Sequence, residues 1–170
     1  MREAMEVPAT RVARESGPNG NRVVTTCSIE PDQVLLVFEG TLSLVPGRYT
    51  LQVGQEHHLA PTEPETVWTF INHSCAPNSR IEFGAGPGQI QLVARVALAP
   101  GQEVTFNYLT TEWEMAIPFS CSCAAPACLG EIRGARYLSD AQRAALRLDF
   151  APHLQVLLSS SKERGAPDPT

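Results

Sequence analysis

A chain of 170 residues, 43% hydrophobic and 18% charged, has the composition of a soluble globular domain and is long enough to bury a core of its own. Thirteen Lys and Arg against eighteen Asp and Glu leave a net charge of −5, which argues against the basic face that duplex binding needs. The longest apolar run, Val34-Leu35-Leu36-Val37-Phe38, is far below the ~20 residues of a membrane span, and the first six residues lack an apolar signal segment.

The first nineteen residues are polar and run into Ser16-Gly17-Pro18-Asn19-Gly20, a turn-rich sequence, so residues 1–19 are expected to form a loose arm. From Asn21 to Tyr108 short β-like runs alternate with turns. Candidate strands are 22–26, 33–38, 49–53, 79–83, 89–93 and 103–107. Pro46-Gly47, Gly84-Ala85-Gly86-Pro87-Gly88 and Pro100-Gly101 supply turns. This spacing predicts a β-rich domain of small sheets with short helices and without βαβ units. After Tyr108, residues 110–115 suit one helical turn and 121–134 read as an irregular loop. Ser139-Asp140-Ala141-Gln142 has the Ser-x-x-Gln form of a capping box, opening a helix through Leu148. A second helix is predicted from Pro152, burying Leu154, Val156, Leu157 and Leu158. Residues 159–170 are polar and Pro-rich, and disorder is expected there.

Five cysteines occur, Cys27, Cys75, Cys121, Cys123 and Cys128, three of them within eight residues. In a reducing compartment, cytoplasm or nucleus, such clustering points to metal ligation rather than disulfides. Cys121-x-Cys123-x4-Cys128 offers three of the four thiolates of a tetrahedral structural Zn²⁺. The fourth ligand must come from elsewhere, with Cys75, Cys27 and the four histidines as candidates. Cys27, in the probable strand Thr25-Thr26-Cys27, reads as a small core residue. His57-His58 would alternate across a strand and reads as a surface pair. Trp68 and Trp113 read as core or channel wall.

Two further motifs complete the pattern. Phe70-Ile71-Asn72-His73-Ser74-Cys75-Ala76-Pro77-Asn78 is followed about thirty residues later by Gly101-Gln102-Glu103-Val104-Thr105-Phe106-Asn107-Tyr108, and then by the cysteine cluster. In that order and at those intervals the chain resembles the SET-domain protein lysine methyltransferases, more narrowly those with a cysteine-rich post-SET segment, over roughly residues 20–135. The resemblance implies a SET-type fold of small curved sheets in which the Asn-His-Ser-Cys and Asn-Tyr segments form a C-terminal pseudoknot. It divides the chain into an arm (1–19), a SET domain (20–110), a post-SET zinc loop (111–135), a helical segment (136–158) and a tail (159–170). It implies S-adenosylmethionine as cofactor, held by Asn72 and His73, with Tyr49 in the pocket and Gly20, Asn21 and Arg22 in place of the family's glycine loop. It assigns Tyr108 as catalytic, and it joins Cys75 to Cys121, Cys123 and Cys128 on zinc.

Methyl transfer to an amine needs the neutral amine, whereas a free lysine has a pKa near 10.4. An apolar channel and the adjacent sulfonium charge would lower it. Tyr108 would orient the amine, and Phe106, where the family has Phe or Tyr, would line the lysine channel and leave room for di- or trimethylation. Zinc would do no chemistry, but would order a loop whose Leu129, Ile132 or Tyr137 closes over the cofactor and channel. The expected partner is a protein or peptide with a target lysine, such as a histone-like basic tail, and not nucleic acid or membrane. The rival reading is a catalytically silent SET-like zinc module for protein binding. It draws on Arg22 at the second glycine position and on Phe38 where a second active-site tyrosine is common.

Overall fold

The computed structural model describes residues 11–18, 20–84 and 89–163. Strand β1 (Val12–Gly17) and β2 (Gly20–Thr25) form an antiparallel hairpin. Gly20 closes its turn at φ 108°, left-handed backbone that glycine adopts without the penalty a Cβ brings. Residues 12–17, expected as part of a loose arm, are therefore a strand. Their alternation is weak because β1 packs few side chains inward, while β2 buries Val23, Val24 and Thr25. Residues 1–10 of the expected arm lie outside the described residues, as do 85–88 of the expected glycine turn and 164–170 of the expected tail.

β3 (Val34–Val37), β9 (Ile90–Ala94) and β8 (Ser79–Phe83) make a three-stranded antiparallel sheet in the order β3-β9-β8. The central strand is apolar because it is covered on both faces, with Leu92, Val93 and Ala94 buried. A second three-stranded sheet has the order β4-β6-β5, from β4 (Thr41–Ser43), β5 (Leu51–Gln52) and β6 (His58–Ala60). His58 lies on its middle strand and is buried, so the pair His57-His58 is not a surface feature throughout. Burial, and then the charge of His57, lowers its pKa, which keeps it neutral.

Two-residue strands complete the sheets. β7 (Asn72–His73) pairs in parallel with β10 (Thr105–Phe106), and β11 (Phe119–Ser120) pairs with β12 (Glu131–Ile132). The first pairing carries the site. The fold is β-rich, with small sheets and two short helices.

Helix α1 (Asp140–Leu146) starts with the expected capping box: Ser139 Oγ accepts from Gln142 N–H at 3.3 Å, and Gln142 Oε1 accepts from Ser139 N–H at 2.8 Å. Helix α2 (Pro152–Glu163) opens with proline, where a missing N–H costs nothing. It buries Leu154 and Leu158, but Val156 is 49% exposed and does not join the buried stripe. Residues 159–163, expected as part of the tail, continue this helix. The hydroxyls of Ser159 and Ser160 donate back to the carbonyls of Gln155 and Val156 at 2.8 and 3.0 Å, so these serines follow the helix instead of ending it. Among the described residues no helix is long and apolar enough to cross a membrane.

The interior has two parts. One lies within the sheets, around Val23, Leu35, Phe38, Leu92 and Val104. The other joins Leu109 and Ile132 to Leu138, Phe150, Leu154 and Leu158, so the C-terminal helices pack on the cysteine-rich segment. Trp68 belongs to the first part and Trp113 packs against the second. Cys27 is exposed. It sits beyond the end of β2, where the chain bends away from the core, and the core reading of this residue is corrected.

Candidate active site

The parallel pairing of β7 with β10 brings two distant motifs side by side, with Asn72 opposite Thr105 and His73 opposite Phe106. Asn78 locks the second motif from the side: its Oδ1 accepts from Thr105 N–H at 2.9 Å and its Nδ2 donates to Glu103 O at 2.7 Å. The strand stops at Asn107, whose side chain accepts from Leu109 N–H at 3.1 Å and caps a 3-10 turn over Tyr108–Thr110. Tyr108 thus enters on a turn, not on the strand expected from alternation. Its ring still lies 4.9 Å from that of Phe106. The Tyr108 hydroxyl donates to Ile71 O at 2.6 Å, and the Tyr108 N–H donates to His73 Nδ1 at 3.1 Å. Burial first, then Glu112 and Glu103, raises the phenol pKa, so Tyr108 stays protonated.

These residues border an open cleft of about 840 Å³, a size that suits a cofactor-like ligand. Gly20, Asn21, Arg22, Tyr49, Asn72 and His73 all line it, together with Phe106 and Tyr108. Asn72 Nδ2 donates to Asn21 O at 3.2 Å and to Glu103 Oε1 at 2.8 Å, tying β7 to the hairpin turn. The Arg22 guanidinium is engaged by Glu15 at 2.7 Å. Tyr49 is half exposed, with its ring 6.5 Å from Phe70. Part of the wall is apolar and buried, from Phe38, Trp68, Ile71 and Phe106.

The expected closing residues are not where the cysteine loop was thought to put them. Ile132 is fully buried in the second core, Leu129 packs against it and Tyr137 is 43% exposed, and none lines the cleft. Met115, Ile117, Phe119 and Cys121–Cys123 supply that side instead, because pairing of β11 with β12 turns residue 132 inward and leaves the preceding segment over the cleft.

The sulfurs of Cys75, Cys121, Cys123 and Cys128 all lie within 4.8 Å of one another, with Cys75 Sγ and Cys121 Sγ 4.0 Å apart. A tetrahedron with Zn–S of about 2.3 Å has sulfurs about 3.8 Å apart, so the four thiols fit zinc with little movement. Burial is the main cause that lifts the Cys75 thiol to about 12, whereas the Ala125 backbone hydrogen bond leads in drawing Cys123 down to about 6. A divalent cation would hold all four as thiolates. Cys27 is outside the group.

Glu112 was not singled out from the sequence. It borders the cleft, yet its carboxylate is buried, accepting from Gln52 N–H at 2.9 Å and from the Thr111 hydroxyl at 3.2 Å. Burial lifts its pKa to about 7, against those two hydrogen bonds. A glutamate between a tyrosine motif and a tryptophan carries no spacing signal; its burial comes from the contact of residue 112 with β5, which only the fold creates.

Comparison with known proteins decides the family. Residues 20–109 match the model of the SET domain. The chain belongs to the SET-domain family. The chain is 35% identical over 102 residues to "Methyltransferase flvH" of Aspergillus flavus, covering 59% of this chain and 54% of that protein. It is 34% identical over 84 residues to a histone-lysine N-methyltransferase, H3 lysine-4 specific, of Schizosaccharomyces pombe, covering 48% of this chain and 9% of that one. The chain therefore spans about half of one curated relative and about a tenth of the other. The SET fold also superposes on the crystal structure of KRYPTONITE in complex with mCHG DNA and SAH, with a TM-score of 0.58 and 20% identity over 72% of this chain and 29% of that one.

Proposed function

We propose that this SET domain is an S-adenosylmethionine-dependent protein lysine N-methyltransferase with one structural zinc. The observation that carries the reading is the single cleft in which Tyr108 and Phe106 stand beside all six residues expected to hold the cofactor. S-adenosylmethionine, when bound, supplies an electrophilic methyl group. Asn72, Asn21 and the turn at Gly20 would hold it, since they are joined by a hydrogen bond and open to the cleft.

Phe38, Trp68, Ile71 and Phe106 would enclose the lysine side chain, and their apolar surface disfavours the ammonium form. The Tyr108 hydroxyl, fixed by Ile71 O, would orient the neutral amine, so the gain is alignment and electrostatics. A phenyl ring at 106 leaves space for a second and third methyl group. Cys75, Cys121, Cys123 and Cys128 would hold zinc, which orders the segment of residues 115–123 that borders the cleft.

The substrate we propose is a basic protein tail, histone or histone-like. The net charge of −5 supports a cationic partner, and KRYPTONITE has been crystallised with mCHH DNA, an H3(1-15) peptide and SAH. Four thiols held together unpaired support a reducing compartment, cytoplasm or nucleus.

The test is a thermal-shift titration with S-adenosylmethionine, followed by mass spectrometry of a histone-tail peptide. A shift that grows with cofactor concentration, together with mass gains in methyl steps, is expected. No shift at any concentration supports the silent protein-binding module instead. A shift without methylation of any tail peptide leaves the enzyme reading standing only for another amine.

A further inference from the structure

We propose that the His73 side chain is a positioning residue for the zinc site, bridging a metal-bearing thiolate to the backbone of Tyr108, and is not a cofactor ligand. The inference rests on the reading that Cys75 and its three partners hold zinc. Two contacts fix the imidazole. Its Nδ1 accepts the Tyr108 N–H at 3.1 Å, and an accepting nitrogen carries no proton, so the ring proton sits on Nε2. Nε2 lies 3.3 Å from Cys75 Sγ and donates to it.

With both ring nitrogens engaged, the side chain has no polar atom left for a cofactor. Any contact of residue 73 with the nucleotide must run through its backbone. The ring plane is held as well, edge to face with Tyr108 at 5.2 Å and with Phe119 at 5.8 Å. Phe119 opens the strand that leads into Cys121, so the same ring touches β7, the Tyr108 turn and the cysteine segment.

The donor at Nε2 does two things for a metal-bound Cys75. It withdraws electron density from the thiolate and fixes its direction, the part that outer-shell partners play for metal ligands generally. Leu129 N–H, 3.5 Å from the same sulfur, is a second donor. In the other direction, metal loading holds Nε2, the ring and the Tyr108 N–H in one line, which sets where the tyrosine turn begins. Zinc would thereby position Tyr108 from outside the cleft.

The two bonds can be separated by substitution. His73→Asn places a carbonyl near the Nδ1 position and keeps an acceptor for Tyr108 N–H, but has nothing to reach Cys75. His73→Gln places an amide N–H near Nε2 and keeps the donor to sulfur. Each zinc-loaded full chain is challenged with a chelator, and each is also loaded with Co²⁺ for its sulfur-to-cobalt charge-transfer band.

The expected result for His73→Asn is zinc lost more readily to the chelator, in line with the ~10- to 100-fold in affinity that outer-shell partners contribute, with the band moved to lower energy. His73→Gln should stay near wild type in both. Wild-type release rates and an unmoved band in both variants would overturn the proposal. A wild-type chain that takes up neither metal would defeat the zinc reading itself, and this inference with it.

A measurement on the unaltered chain covers variants that fail to fold. With ¹¹³Cd in the cluster, the His73 Nε2 proton should show scalar coupling to the metal through the N–H···S hydrogen bond. A resolved Nε2 proton without that coupling overturns the proposal.

Discussion

Tyr108 gives its hydroxyl to Ile71 O, and removing that one atom tests its role most directly. Tyr108→Phe should lower methyl transfer at least tenfold, a loss of about 1.4 kcal/mol of transition-state stabilisation, with the cofactor-induced thermal shift nearly unchanged. Phe106→Tyr should shift products toward monomethyl-lysine. A hydroxyl added to the Phe106 ring, whose centroid lies 4.9 Å from that of Tyr108, would bind the amine or a water where the next methyl must go, a hydrogen bond of ~1 kcal/mol and a several-fold change in product partition. Time-resolved mass spectrometry reads both. Glu112 makes a prediction about stability. Its folded pKa of about 7 stands above its ordinary 4.5, so the folded state favours the protonated carboxyl. That contribution is whole below the unfolded value and is lost as pH rises through about 7. Glu112→Gln, which keeps an acceptor for Gln52 N–H, should match wild type near pH 4 and exceed it by up to ~3 kcal/mol near pH 8 in urea unfolding. Buried His58 and His153 have the opposite sign, since their lowered pKa values cost stability in acid, but they are common to both proteins and cancel. Equal stability at both pH values would show a solvated carboxylate. That Asn72 and Tyr108 would share a cleft and that four cysteines would meet could be read from the sequence, because each belongs to a short motif. Glu112 could not, because its environment is made by β5, sixty residues earlier in the chain.

At the scale of elements, β2, β3, β8 and β9 overlap expected strands, β5 and β10 fall inside the longer expected runs 49–53 and 103–107, and β1, β7, β11 and β12 were not legible. β8 falls on the expected residues 79–83, since Ser79, Ile81 and the rest alternate cleanly and a glycine turn follows. β7, β11 and β12 are too short for any period to appear, and each exists because a distant partner supplies its hydrogen bonds. The capping box of α1 could be read because a cap is a local device of four residues. The cysteine segment packs on α2 and carries the proposed zinc, and two tests follow. Stripping zinc should raise hydrogen exchange across residues 119–132 while the β8–β9 pairing keeps its protection, because those strands belong to the other core. Equal loosening of both would mean that metal supports the whole fold. Leu154, fully buried against Leu109 and Ile132, should cost ~2–5 kcal/mol when changed to Ala. Urea unfolding measures that cost, and retention of zinc at low urea would place α2 as a support for the second core alone.

Across the whole molecule, many hydrogen bonds join residues far apart in the sequence. Thr25 N–H donates to Gln102 O at 3.0 Å, and Val24 bridges Glu103. β2 and the segment before β10 thus close a gap of 77 residues. This part of the architecture lay beyond the sequence, where turns and strand lengths can be read but the partner of each strand cannot. The gap matters during synthesis. A ribosome adding roughly 5–20 residues per second makes Thr25 wait about 4–15 s for residue 102 to be polymerised. Throughout that interval Val23 and Val24 lack their partners Val104 and Glu103, and the β1–β2 hairpin stands as an open ribbon. Slowing translation just before residue 100 would lengthen the exposure of this edge, while faster decoding there would shorten it.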